Sequence, residues 1–346
     1  MASTSETLDW TDRPTVSSVE PYAAIPGGDL HIRGQHLAAG GKPLVKLGNR
    51  PAHLIVAGDD YIIARVPESA VVGELVVTSG DWNSGMQETH IGVQVADSLH
   101  PVANPAVDRE GNLYSTFSGS RGQKSPVSIY KIDTNYNSKP FVTDLMNPTG
   151  LAFDSEGLLY ASSRYDGVIY QITPTGNMSV FAEGMGVATG IAFDSEENLY
   201  VGDRSGTIFK ISRSRQIYVF ATLEPSIAAY HLAFGPEDYL YVTGPTTSSF
   251  DSVMRVSNAG EVETFYRGLG RPQGLAFDAA GNLYVAASLR GRRGVVCIDP
   301  SRKAKLFLSG PGIVGLAIAP SKAMILATHS ALFRADVGLA PFRNLQ

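Results

Sequence analysis

The chain has 346 residues, 43% of them hydrophobic and 18% charged, which suggests two domains of about 150 residues and enough apolar material for a packed core. Its one cysteine, Cys297, excludes a disulfide framework and a cysteine-based metal site, and the lack of any run of 18 apolar residues argues against a membrane span. Residues 1–100 carry six basic and twelve acidic side chains (net −6), and residues 101–346 carry 22 and 21 (net +1), so neither part has the basic excess of a general nucleic-acid binder.

The first ninety residues are predicted to form a loose arm followed by a small β-sandwich. Residues 1–13 are polar and lack the basic and apolar stretches of a signal peptide, so we expect a cytoplasmic protein, or a secreted or periplasmic one if a leader was trimmed. Residues 14–90 contain short alternating segments separated by Gly, Pro, Asn and Asp, a pattern typical of sandwich strands. These segments include Leu30–Arg33, Leu44–Leu47, Tyr61–Val66 and Gly73–Thr78.

From residue 106 onward one short pattern recurs six times, as in Ala106–Tyr114 and Ala276–Tyr284. Its third position, usually Asp, falls at residues 108, 154, 194, 235, 278 and 319, at intervals of 40 to 46 residues. Periods of this length with several short strands each are typical of propeller blades. Within each copy we expect one strand to end, a turn to form around the Asp carboxylate, and the next strand to begin at Leu-Tyr.

The sixth repeat lacks a fourth strand, because the chain ends soon after Leu332–Asp336. Residues 91–97, upstream of the first repeat, carry the pattern of the missing strand. We therefore expect residues 91–97 to complete the last blade, so that the ring has no free edge. On this interpretation residues 91–346 form one six-bladed β-propeller.

Both parts of the chain resemble known families. Pro14–Pro21, Ile32–Gly34, Val45–Gly48 and Val66–Pro67 resemble the immunoglobulin-like IPT/TIG domain. The repeat Gly-(Leu/Ile)-Ala-Phe-Asp-x-x-Gly-Asn-Leu-Tyr-Val resembles the NHL and SMP-30/gluconolactonase group of propellers. The expected fold is therefore all-β, with a small immunoglobulin-like sandwich before the propeller. For function the resemblance implies two alternatives, metal-dependent lactone hydrolysis or the binding of a ligand or partner.

The starts of the first strands surround the axis of a propeller, and they share one end with the loops between strands two and three. Arginines in those loops favour a polar anionic ligand, because guanidinium groups suit carboxylates and phosphates. The alternative is that they pair with nearby carboxylates and backbone carbonyls as struts between blades. The ligand-binding candidates at this end are Asn104, Arg121, Thr149, Arg164, Asp166, Thr189, Asp203, Arg204, Gln273, Arg290 and His329.

The lactonase resemblance implies a divalent cation such as calcium at the axis, held by Glu, Asn and Asp side chains. The positions that match this motif hold no carboxylate, and Ala103 stands where the family has its Glu. We therefore expect no metal and no other cofactor. Asn104, Gln273 and Asp203 are the weak candidates for a cation site.

His231, beside Tyr230, is the best candidate for a general base, since an imidazole can titrate near neutrality. The alternative is a structural histidine that fills the channel. The sequence thus favours a propeller that binds a small anionic or sugar-like molecule, or a protein segment, at its arginine-rich end. A lactonase with an atypical site around His231 and Asn104 is the second hypothesis, and the near-neutral charge argues against RNA binding.

Overall fold

The computed structural model describes residues 13–120, 122–247 and 251–342. Within these ranges the chain is all-β, with 35 strands and a short 3-10 turn at Pro236–Asp238, and no helix there has the length and hydropathy of a membrane span. The chain divides into two compact units. Of the described residues, those up to Val93 together with Phe307–Pro311 form one, and residues 94–306 and 312–342 form the other. The strands Val93–Ala96 and Ala304–Ser309 each have residues in both units. The predicted boundary lay between residues 90 and 91, and the grouping of Phe307–Pro311 with the first unit had no signal in the sequence.

The first unit contains two small sheets, which follow the alternating segments of residues 14–90. Its strands are β1 (Thr15–Glu20), β2 (Ala23–Ala24), β3 (Asp29–Gln35), β4 (Leu44–Leu47), β5 (Arg50–Pro51), β6 (His53–Ala57), β7 (Tyr61–Arg65), β8 (Glu74–Ser79), β9 (Trp82–Asn83), β10 (Gln87–Glu88) and β11 (His90–Ile91). One sheet has the order β1-β3-β7-β6 and the other β10-β8-β4-β5. Leu30 and Ile62 from the first sheet and Val45 and Val77 from the second share one buried core, as alternation in half-buried strands predicts.

The second unit consists of successive four-stranded antiparallel sheets. The first sheet contains β13 (Ala106–Val107), β14 (Leu113–Thr116), β15 (Ile129–Ile132) and β16 (Ser138–Val142), and the second contains β17 (Pro148–Phe153), β18 (Leu159–Ser163), β19 (Ile169–Ile172) and β20 (Met178–Ala182). The third sheet contains β21 (Ala188–Phe193), β22 (Leu199–Asp203), β23 (Thr207–Ile211) and β24 (Ile217–Thr222), and the fourth contains β25 (His231–Phe234), β26 (Leu240–Thr243), β27 (Asp251–Val256) and β28 (Val262–Leu269). Each sheet corresponds to one copy of the repeat.

Two further sheets complete the unit. The fifth contains β29 (Leu275–Phe277), β30 (Leu283–Leu289), β31 (Arg292–Ile298) and β32 (Ala304–Ser309), and the sixth contains β33 (Ile313–Ile318), β34 (Ala323–Thr328), β35 (Leu332–Asp336) and β12 (Val93–Ala96). In the sixth sheet β12 lies beside β35, at the edge that the sequence left without a fourth strand. The first strands β17, β21, β25, β29 and β33 contact one another in chain order, so they line the interior of the unit.

The recurring Asp organises the turn between the first two strands of a sheet. In the third sheet the Asp194 carboxylate accepts hydrogen bonds from the backbone N–H groups of Glu196 (2.9 Å) and Asn198 (2.8 Å), from the Asn198 side chain (2.8 Å) and from the Tyr200 hydroxyl (3.1 Å). Asp108 and Asp278 bind the equivalent Asn and Tyr in the same way. The carboxylate thus accepts the hydrogen bond that the buried tyrosine hydroxyl would otherwise donate to water, and it also fixes the conformation of the turn.

The same tyrosine joins neighbouring sheets. The Tyr200 ring meets Phe220 of its own sheet and Phe234 of the next one edge-on, with both centroid distances 4.9 Å. Tyr114, Tyr160 and Tyr241 repeat this arrangement. Burial and the adjacent Asp194 raise the pKa of Tyr200, so its hydroxyl remains a hydrogen-bond donor at neutral pH. Edge-to-face pairs of aromatic rings stabilise a fold by more than the burial of their surface area alone provides.

We expect Tyr200→Phe to lower the free energy of unfolding by about 1 kcal/mol, because it removes one hydrogen bond to Asp194 and keeps both ring contacts. Urea unfolding at neutral pH measures this change. Tyr218→Phe is the matched control, since Tyr218 is 50% exposed on β24. Equal effects of the two substitutions would contradict a structural role for the hydroxyl of the repeat.

Candidate functional site: an apolar cavity inside the second unit

The first strands of the second unit enclose a cavity of about 700 Å³. Its walls include the alanine that opens the repeat, and this residue had not been singled out in the sequence. Ala152, Ala233, Ala276 and Ala317 line the cavity and are half-buried, although they lie in the innermost strands. A small side chain recurring at this position leaves space between the strands, whereas a larger one would fill it.

One end of the cavity, at the starts of the first strands, is closed by the segment Ala103–Asn104, and we call this the closed end. The Asn104 amide donates to the carbonyl of Leu275 (2.9 Å) and accepts from the N–H of Leu316 (3.0 Å). A Cβ atom on Gly315 would lie 2.2 Å from the carbonyl oxygen of Ala103, so the segment contacts the fifth and sixth sheets directly. Asn104 is therefore engaged at both ends of its amide by backbone groups.

The opposite end, formed by the turns between the first and second strands, reaches solvent, and we call it the open end. Ser155 and Ser195, which line the cavity there, are exposed. Hydrogen bonds join neighbouring turns: the Ser155 N–H donates to Glu197 (3.2 Å), and the Ser195 hydroxyl donates to Asp238 (2.6 Å). Phenylalanines at the ends of four first strands line the cavity at this level, namely Phe153, Phe193, Phe234 and Phe277.

The C-terminal segment also contributes to the open end. The Leu339 N–H donates to Lys322 (2.9 Å), the Ala279 N–H donates to Ala340 (2.8 Å), and the Phe342 N–H donates to Phe277 (3.1 Å). Pro341 and Phe342 both line the cavity, and the Phe342 ring lies 6.1 Å from that of Phe277. Nothing in the sequence repeat signals this contribution, because the segment lies outside the repeats.

His231 lines the cavity at its closed end, as the first residue of β25. The residue is 3% exposed, and burial alone lowers the pKa of its imidazole to about 4. None of the described residues forms a hydrogen bond with its ring. The imidazole is therefore neutral at pH 7 and has no carboxylate to orient it, so the features of an activated general base are lacking. Its ring nitrogens can still donate and accept hydrogen bonds.

The other axial candidates form structural hydrogen bonds and do not line the cavity. The Tyr230 hydroxyl donates to the carbonyl of Glu224, and burial raises the pKa of Tyr230 to about 12. The Thr189 hydroxyl donates to Gly202 (2.8 Å) and accepts from the Tyr230 N–H (3.2 Å). The Thr149 hydroxyl donates to Asn147 (3.4 Å), and the Gln273 N–H donates to Ala286 (2.8 Å). A role for these residues in ligand binding stays a prediction.

The arginine-rich loops lie at the closed end, and of the residues that the structure describes no arginine or lysine lines the cavity. Arg164 donates to the carbonyl of Gly119 (2.8 Å) and Arg204 to that of Ser226 (3.3 Å), as the strut interpretation requires. Arg290 and His329 are exposed, and Arg121 lies outside the described residues. Whether an anion binds on this outer surface stays a prediction.

The two loop carboxylates are also occupied locally. Asp166 accepts from the Val168 N–H (3.2 Å) and from the Tyr170 hydroxyl (3.0 Å). Asp203 accepts from the Val187 N–H (2.9 Å) and from the Ser205 hydroxyl. Neither of them pairs with a neighbouring arginine in the described residues, contrary to one form of the strut interpretation.

The residues at the closed end do not fit a divalent cation of the lactonase type. In the described residues no three His, Cys, Asp or Glu side chains come together as ligands, and the Asn104 amide oxygen already accepts a backbone N–H. A hard cation requires several oxygen ligands, with carboxylates among them to replace its water. We therefore derive no metal-dependent step for this site.

Comparisons with solved structures identify the architecture. An auxiliary nutrient binding protein from Bacteroides thetaiotaomicron is 11% identical, with a TM-score of 0.57 over 94% of this chain and 98% of that one. A gluconolactonase from Xanthomonas campestris is 13% identical, with a TM-score of 0.58 over 71% and 89%. An inactive variant of virginiamycin B lyase from Staphylococcus aureus, with quinupristin, is 13% identical, with a TM-score of 0.51 over 95% and 96%.

The second unit has a β-propeller fold. At these identities the likeness shows the fold alone, and the solved neighbours are propellers of the NHL and gluconolactonase-like kind. No family model matches the chain, and no curated protein matches it. A nutrient-binding protein and a gluconolactonase stand side by side among the neighbours, so the comparisons leave both a binding role and a lactonase-type role open.

Proposed function

We propose that this chain is a binding protein of the propeller class, which holds a small molecule in the cavity inside the second unit. The cavity of about 700 Å³ supports this role, because ligand sites typically measure about 300–1,000 Å³ and combine apolar walls with a few polar groups. The neutral, buried imidazole of His231, without a partner among the described residues, is such a group. The nutrient-binding neighbour also supports a small-molecule ligand.

The proposal includes the finer architecture that the sequence predicted. The second unit would be a six-bladed ring, closed by β12 in its sixth blade. The first unit would be an immunoglobulin-like domain of the IPT/TIG type, acting as a spacer or as a second interaction surface. Two small sheets around one core support this assignment.

The test uses diphenylhexatriene, an uncharged hydrocarbon dye whose fluorescence rises in apolar surroundings. We expect the purified chain to bind it, and Ala276→Trp to weaken binding at least tenfold, since the indole would occupy the cavity. Val180→Trp is the matched control, because Val180 is 51% exposed on β20. Thermal unfolding checks that both variants are folded. If Ala276→Trp does not fold, Ala317→Phe is a second variant in which a larger side chain fills the cavity.

Dye affinity unchanged in the folded filled-cavity variants would contradict the proposal. A lactone turnover that is abolished by a chelator would favour the lactonase hypothesis instead, and glucono-δ-lactone is the substrate with which to measure it.

A further inference from the structure

The walls of the cavity suit hydrocarbon. Besides the alanines of the repeat, Leu151, Ile191, Leu232 and Leu316 line it. Four residues of β17, Gly150–Phe153, line the cavity and span about 13 Å at roughly 3.3 Å per residue, so a ten-carbon chain fits along the strands. Transfer of such a chain from water to these walls is favourable in proportion to its buried apolar area.

Charge on the lining argues against an ionic ligand. Among the described residues the lining contains no lysine or arginine, and its acidic side chains, Asp154, Asp194 and Glu197, stand at the open end. Their oxygens accept hydrogen bonds from the turns, as the Leu158 N–H does to Asp154 (2.9 Å) and the Ser155 N–H to Glu197. An anion would pass these carboxylates and then lose its water without gaining a cation, which is costly.

A single polar group of the ligand has a defined partner at the closed end. His231 is 3% exposed and lines the cavity, and no described residue bonds its ring. The buried side-chain atoms that lack a partner do not include the His231 ring nitrogens, so these nitrogens face the cavity, where a ligand hydroxyl or carbonyl can take the place of water. A neutral imidazole has one donor and one acceptor nitrogen, so it can serve either group.

We infer that the cavity takes an uncharged amphiphile, a largely hydrocarbon molecule with one hydroxyl or carbonyl group that bonds to His231 at the closed end. This inference rests on the proposed function and narrows its ligand class. It differs from the anionic or sugar-like ligand that the loop arginines suggested, because none of those arginines that the structure describes lines the cavity.

The experiment displaces bound diphenylhexatriene with decanol, decanoate or decylamine at pH 7, compounds that differ only in their head group. We expect decanol to displace the dye at a concentration at least tenfold lower than either ion requires. His231→Leu should weaken decanol about tenfold relative to the dye, since the dye has no polar group that bonds to the imidazole. His329→Leu is the matched control, because His329 is exposed.

Decanoate or decylamine binding as tightly as decanol would overturn the inference, and so would an unchanged decanol affinity in folded His231→Leu. These outcomes leave the dye in the cavity and the proposed function intact. Failure of the proposed function is distinct, since the dye would then not bind to the wild-type chain or would bind equally to the folded filled-cavity variants.

Discussion

Acidification from pH 7 to pH 4 is expected to lower the free energy of unfolding by about 3 kcal/mol through His231 alone. Burial lowers the pKa of this imidazole to about 4 in the folded chain, whereas a histidine in the unfolded chain titrates near 6.5. Between these values the unfolded state binds more protons, so stability falls as the pH falls through this window. A difference of about 2.5 pKa units, at roughly 1.4 kcal/mol each, accounts for the size of the effect.

The measurement is urea unfolding at pH 7 and pH 4 for the wild type, His231→Gln and His329→Gln. Glutamine keeps a polar side chain of similar reach but does not titrate. We expect the loss between the two pH values to be about 3 kcal/mol smaller in His231→Gln than in the other two proteins. An identical loss in all three would show that His231 is hydrated or paired, and the cavity would then lack the neutral polar group assigned to it.

Much of the fold could be predicted from the sequence because its signals are local. In three of the repeats the Asp, Asn and Tyr of the turn lie within seven residues, and in Asp194, Asn198 and Tyr200 they form the hydrogen bonds that these residue types suggest. The strand at Val93–Ala96 could also be predicted, because residues 91–97 repeat the pattern of a fourth strand and the sixth sheet needed one. The architecture could therefore be predicted from local chemistry and from the length of the repeat.

The position of the cavity could not be predicted in the same way. Its closed end depends on Asn104 bonding to Leu275 and Leu316, which are 171 and 212 residues away, and its open end depends on Phe342 meeting Phe277. Such contacts leave no periodic trace in the sequence. The arginines in the loops between the second and third strands suggested an anion at that end, but Arg164 and Arg204 bond to backbone carbonyls, so the number of arginines did not reveal which residues line the cavity. The alanine that recurs at the start of the repeat is the feature of the sequence that marks the position of the cavity.

The closed end also makes Gly315 a position at which a single methyl group should be damaging. The Cβ atom of Gly315→Ala would lie 2.2 Å from the carbonyl oxygen of Ala103 and 2.7 Å from the Cα atom of Asn104. Both neighbours are backbone atoms, so the segment itself must move. That movement strains the packing and breaks the two hydrogen bonds of the Asn104 amide, and together these effects cost about 4 kcal/mol.

We therefore expect Gly315→Ala to lower the Tm by roughly 10 °C, at about 2–4 °C per kcal/mol for a domain of this size. Differential scanning calorimetry measures it, with Gly85→Ala as the matched control, because a Cβ atom there meets nothing within 4 Å. A Tm equal to that of the control would mean that Ala103–Asn104 does not cross the first strands of the fifth and sixth sheets. The cavity would then be open at both ends, and the imidazole of His231 would no longer lie at a closed end.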